Sequence, residues 1–218
     1  MSLKREIIEA GKRLYQAGLV ASNDGNISAR AEDGTVWATP SGVSKGFMTE
    51  EMLVRLDLDG HVLEGSAKPS SEIKMHLRVY RENEALRAVV HAHPPKATVF
   101  ASAGIPLDSA ILQETVVQLG VVPLAPYAVP GSADLAEGIA PFCRDYNAVL
   151  LEYHGVTTWG TSMTQALHRM ESVEYYAKML MDLRMLGIER PMTQRQIDDL
   201  LALRPAWGIS GGGRPKGR

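Results

Sequence analysis

Three of the six histidines in this chain stand where apolar strands end, and together they could hold one metal ion. His91 and His93 flank Ala92, and side chains at i and i+2 of a strand project to one face. Two imidazoles so placed can chelate a single ion. His154 follows a second apolar strand and precedes Gly155. Three neutral ligands that leave a fourth position open make the pattern of a catalytic zinc site, since structural zinc sites are closed. Imidazole also accepts Mn2+ or Co2+, so the residue types alone leave the ion open. The other histidines carry weaker signals. His61 lies in a polar hairpin, His168 in a long helix beside Arg169, and His76 one turn after Glu72, where it could support the site from behind.

Glu72 is the candidate acid/base. It falls in the first turn of an expected helix, where the dipole favours a carboxylate, and helix capping alone would explain it. Ser70 and Ser71 just ahead change the weighing. With the backbone N–H groups of that helix start they form an anion pocket, and a phosphate held there places the far end of its substrate near Glu72. Gly25-Asn26 and Ser41-Gly42 are two further turns with small polar side chains and available backbone N–H groups. Lys45 or Lys68 nearby would add positive charge.

These residues need elements to hold them. Residues 3 to 18 carry Ile7, Ile8, Leu14 and Tyr15 at helical spacing, with Gly18 as a stop. Short alternating runs at 27–30, 35–39 and 54–58 predict half-buried strands, and Asp59-Gly60 predicts a hairpin into 61–63. A helix is expected over 72–81, capped by Ser70 or Ser71. An apolar strand at 88–90 leads into His91, and Pro94-Pro95 opens a helix to Ser102. Another apolar strand at 148–151 leads to the Tyr153-His154-Gly155 corner. Ser162 to Gln165 resembles a capping box that opens a long helix with the stripe Leu167, Met170, Val173, Ala177 and Leu180. Thr193 to Gln196 repeats that pattern for a last short helix. Without strict βαβ alternation, the expected fold is an α/β three-layer sandwich around a mostly antiparallel sheet.

The whole chain bounds the partners. Its 218 residues suit one sizeable core, expected over 1–210. Residues 211–218, with three glycines and terminal basic groups, are expected to form a flexible tail. A hydrophobic share of 45% and a charged share of 22% are ordinary for a globular protein, and the net charge of −2 offers no general attraction to nucleic acid. One cysteine, Cys143, allows no intrachain disulfide and suits the reducing cytoplasm. It is expected as a buried structural thiol. No apolar run approaches membrane length and no signal peptide is visible.

The segments Gly25 to Arg30, Thr39-Pro40-Ser41-Gly42, Lys68-Pro69-Ser70-Ser71-Glu72, His91-Ala92-His93 and His154-Gly155 occur together, with Ala125-Pro126-Tyr127 between the last two. In order and spacing they resemble the class II aldolase/adducin family, which includes L-fuculose-1-phosphate aldolase, over most of residues 1 to 185. The resemblance implies an α/β/α fold and zinc on His91, His93 and His154. It implies phosphate held by Asn26, Ser41, Gly42, Ser70 and Ser71, and Glu72 as an acid/base that also approaches the metal. It further implies a cyclic homotetramer with sites at subunit borders. The expected activity is that of a zinc-dependent aldehyde-lyase, cleaving a ketose 1-phosphate to dihydroxyacetone phosphate and an aldehyde. Two departures stand out. Gln113-Glu114 occupies the region where that aldolase uses a neighbouring subunit's tyrosine, and no tyrosine follows Tyr176. Two other reactions fit the same scaffold: decarboxylation of a 3-oxo-tetronate 4-phosphate, and dehydration of methylthioribulose 1-phosphate. The related epimerases carry aspartate where Glu72 stands. An adducin-like, non-catalytic domain is the alternative of another class, and such domains are expected to lack the metal histidines.

Overall fold

A computed structural model of the chain describes residues 2–218. Helix α1 (Leu3–Gln16) precedes the strands β1 (Asn26–Arg30), β2 (Val36–Ala38), β3 (Val54–Leu56) and β4 (Val62–Glu64). Then come α2 (Ile73–Glu82), β5 (Ala88–Ala92), α3 (Pro95–Ser102), α4 (Gln113–Gln118), β6 (Leu124–Ala125) and α5 (Ala133–Ile139). The hairpin β7 (Ala148–Leu151) and β8 (Gly155–Gly160) leads into α6 (Met163–Met185) and α7 (Gln194–Leu201). The strands form one sheet of eight in the order β4-β3-β2-β1-β5-β8-β7-β6. Every neighbour pair is antiparallel except β6 with β7.

Helices cover both faces, as the central strands show by splitting their side chains between two clusters. Ala88, Val90 and Ala92 of β5 pack with α1, α3 and α6, as do Ala148 and Leu150 of β7. Val89, Val149 and Leu151 pack on the opposite face with Met75, Val79 and Tyr80 of α2 and Leu135 of α5. The expected stripe of α6 is wholly buried. Burying each of its larger members contributes about 1.5–3 kcal/mol. Alternation therefore puts His91 on the α2 side with Val89. Pairing opposes His91 to Asn26 of β1 and to Thr157 of β8, so the three stand in one row across the sheet.

Several expected boundaries shift. Leu58 lies outside β3, and β5 runs on through His91 and Ala92. The turns of α4 and α5 and the whole of β8 had no sequence expectation. Residues 211–218, expected to be a flexible tail, are bonded to the body. Gly212 accepts from Val121 N–H at 2.6 Å and donates to Asp145 at 2.7 Å, and Ala110 N–H donates to the Lys216 carbonyl at 2.8 Å. Glycine conformations let this segment follow the surface, and its carbonyls satisfy donors that would otherwise be orphaned. Among the described residues no helix is long and apolar enough to cross a membrane.

Candidate active site

The end of α2 and the ends of two strands build the site. Pro40 and Pro69 pair as an isolated bridge, and Ser70 N–H donates to the Thr39 carbonyl. These contacts fix the segment entering α2. Glu72 itself stands at the N-cap of α2, so the helix begins one residue later than expected, and the Glu72 side chain caps nothing. It turns toward the sheet, where it is buried. Oε1 lies 3.2 Å from His154 Nε2, and Oε2 lies 3.3 Å from His91 Nε2. Asn26 Nδ2 donates to Oε2 at 2.8 Å.

The three imidazoles form a triangle with ring centroids 4.7–5.0 Å apart. His91 leaves the sheet face from β5. His93 lies just past the strand end, where its N–H donates to the Leu19 carbonyl at 3.1 Å. His154 sits in the turn between β7 and β8. That turn is tight: Tyr153 takes a left-handed φ of 57°, a rare conformation for a bulky residue. Gly155 is required by close approach, because a Cβ there would sit 2.6 Å from both the Ala92 carbonyl oxygen and His93 Cδ2.

The donor pattern tests whether a metal fits. His91 Nδ1 lies 2.9 Å from the Val156 carbonyl oxygen, so Nδ1 carries the proton and Nε2 is a bare acceptor. That Nε2 faces His93 Nε2 at 3.2 Å as well as the carboxylate. A proton is a poor filler here. Burial, and then the charges that His154 and His93 would carry, hold His91 well below the usual imidazole range. Burial also lowers His154, against the opposing pull of Glu72. Glu72 Oε1 and His154 Nδ1 are buried without partners. Converging acceptors around an unpaired carboxylate oxygen fit a divalent cation, and three imidazole nitrogens suit zinc. Asp24 Oδ2 lies 3.5 Å from His93 Nδ1, the ring nitrogen that does not face His91.

The five expected phosphate residues are not equivalent. Ser41 and Gly42 are exposed, and Gly42 has φ 76° with open space beside it. Ser71 is also exposed, whereas Ser70 is buried and accepts from Glu72 N–H at 3.3 Å. Asn26 commits its amide to Glu72, so its side chain serves the carboxylate first. His76, expected behind the site, is buried and bonds Ser28 Oγ through Nδ1 at 2.8 Å. Burial pushes it down to about 3, so it stays neutral. Cys143 is buried, donates to the Ile139 carbonyl and is pushed up to about 12, chiefly by burial, an inert thiol. His61 forms an exposed pair with Asp57.

Sequence reasoning missed Asp24 and the depth of Lys45. No spacing signal marks Asp24, because its meeting with His93 depends on where the turn after α1 docks. Lys45 is 1% exposed beneath that same turn.

The sequence model of the family described as "Class II Aldolase and Adducin N-terminal domain" matches residues 5–181. A 3-oxo-tetronate 4-phosphate decarboxylase of Pectobacterium atrosepticum is 33% identical, over 92% of this chain and 91% of its own. A 5-deoxy-D-ribulose 1-phosphate aldolase of Bacillus thuringiensis serovar kurstaki is 34% identical, over 90% and 92%. The solved structure of an L-fuculose 1-phosphate aldolase superposes with a TM-score of 0.86 at 31% identity, covering 92% of this chain and 94% of that one.

Proposed function

The chain belongs to the class II aldolase and adducin family, and we propose that within it the protein is a metal-dependent lyase that breaks a carbon–carbon bond beside the carbonyl of a sugar phosphate. The observation that carries this reading is the buried Glu72 carboxylate, held between His91 and His154 with Oε1 accepting no hydrogen bond. We take zinc as the ion, on His91, His93 and His154, with Mn2+ or Co2+ as substitutes. When bound, it would supply Lewis-acid polarisation of the substrate carbonyl. Asn26 holds Glu72 in place. Glu72 delivers a proton to the carbon from which the fragment departs, or removes that proton in the reverse direction. Ser41, Gly42, Ser70 and Ser71 bind the phosphate, a part of the substrate that does not react but fixes its orientation.

Two reactions share this half of the chemistry. Decarboxylation of a 3-oxo-tetronate 4-phosphate and aldol cleavage of a ketose 1-phosphate both leave dihydroxyacetone phosphate once the same carbon is protonated. They differ in the departing fragment. An aldehyde leaves only if its hydroxyl proton is removed at the far end, and Gln113-Glu114 occupies the region where the resembling aldolase uses a neighbouring subunit's tyrosine. Carbon dioxide leaves from a carboxylate with no such proton. Gln113 and the decarboxylase relative therefore favour decarboxylation. Aldol cleavage is the second reading, favoured by the aldolase relative. A homotetramer in the cytoplasm is the expected setting.

The test is to incubate the zinc-loaded protein with both substrate types. Carbon dioxide and aldehyde are measured beside dihydroxyacetone phosphate, with Glu72→Gln as control. Carbon dioxide from the oxo acid supports the first reading, and aldehyde from the ketose supports the second. Neither product from fully loaded protein would rule out both.

A further inference from the structure

We propose that Lys45 is a positioning residue, whose ammonium ties together the two turns that face the substrate phosphate and thereby sets affinity for it. The inference rests on the phosphate reading above. The first turn runs from Ser22 to Gly25 and leads into Asn26. The second carries Ser41 and Gly42. Both need unusual backbone: φ is 50° at Ser22, 74° at Gly25 and 76° at Gly42. Glycine reaches such angles without strain, so the turn backbones alone do not fix the distance between them.

Lys45 Nζ is that brace. It donates to the Asn23 carbonyl at 3.0 Å and to the Val43 carbonyl, one acceptor in each turn. Among the described residues no other hydrogen bond joins residues 21–25 to residues 40–45. A buried ammonium is costly unless its protons find acceptors, so the side chain holds both carbonyls against itself. Burial pulls the ammonium down to about 8, with Asp24 opposing. Between the turns lies an open surface depression of about 580 Å³ lined by Tyr15, Ser22, Asn23, Gly42 and Ser44. Ser22 and Asn23 of the first turn line the same depression as Gly42 of the second, so the affinity of an anion that contacts both turns depends on their separation. Lys45 itself need not touch the phosphate.

The test compares wild type with Lys45→Met, both zinc-loaded, by calorimetric titration with inorganic phosphate. Wild type binds, and the variant binds about tenfold more weakly, a change of about 1.4 kcal/mol, with zinc content unchanged. In turnover the loss falls on KM. A variant of lower melting temperature but unchanged phosphate affinity would show that Lys45 is merely structural and overturn the inference, while the phosphate reading stands. Wild type that binds no phosphate overturns both. Should the Met variant not fold, Lys45→Gln serves instead: it removes the charge and its amide stem is one bond shorter than that of the ammonium, so the two carbonyls lose their common donor. Weakened binding there supports the brace, and equal binding overturns it.

Discussion

Glu72 makes no bond that a helix cap would make, and its position gives a separable test. Glu72→Gln keeps the acceptor oxygen beside His154 and the shape of the side chain but removes the transferable proton. Turnover should fall by about 10²–10⁴-fold, while zinc content measured by elemental analysis stays near one per chain. Undiminished turnover would remove Glu72 from the acid/base role. Lys45 makes a prediction of its own about pH. Its folded value, about 8, lies below the ordinary 10.5. Below pH 8 both folded and unfolded chains hold the proton, and the cost of burying the charge is fully present. Between 8 and 10.5 the unfolded chain holds more protons, so stability rises with pH. Urea unfolding of wild type and Lys45→Met from pH 7 to 10.5 cancels the other titrating groups. The wild type should gain on the variant across that window, and parallel curves would contradict the buried ammonium.

At the scale of the elements, the strands with one covered face were legible because their alternation is in the sequence. β3, with Val54 and Leu56 buried and Arg55 half-buried, is such a strand. β8 was not legible, because all six of its residues are buried and Gly155-Val156-Thr157-Thr158-Trp159-Gly160 carries no alternation. The short α4 and α5 span too few turns to establish a period. The meeting of His91 and His93 was legible for a different reason: residues i and i+2 of an extended segment share a side, and the two rings lie 5.0 Å apart although His93 stands just past the strand end. What the sequence left hidden lies in contacts between distant elements, such as Asp24 to His93 and Asn26 to Glu72. Gly155 joins the two levels. Its φ needs no glycine, but the neighbouring strand end leaves no room for a Cβ. Gly155→Ala should push the His93 ring and the β5 end apart. Zinc affinity, measured by competition with a chelator, should fall about 10–100-fold. An unchanged affinity would mean that the β7–β8 turn gives way without moving the ligands.

The whole molecule is a sheet held between two helical layers, and the chain's last described segment is bonded to the loops beside it. That segment runs past Asp145, Val121, Ala110 and Met192, and so stitches the turn before β7, the loops around α4 and the start of α7 to one another. Arg204 takes part from the other side: its guanidinium donates to the carbonyls of Val116 and Val117 and also to those of Gly211 and Gly213. Arg214 pairs with Asp198, and Lys216 lies 2.7 Å from Asp108. These two pairs are exposed and contribute little; the backbone bonds matter more. Removing residues 211–218 strips acceptors from the N–H groups of Val121 and Ala110, and Ala110 is fully buried. It also leaves part of the half-buried Arg204 guanidinium without partners. An orphaned buried donor costs about 1–3 kcal/mol, and in a domain of this size each kcal/mol lowers the melting temperature by about 2–4 °C. The shortened protein should therefore melt roughly 5–10 °C lower in differential scanning calorimetry. None of the lost bonds reaches His91, His93, His154 or Glu72, so zinc content at 25 °C should not change. A free tail would predict no shift in melting at all, and that result would show that the segment does not brace the fold.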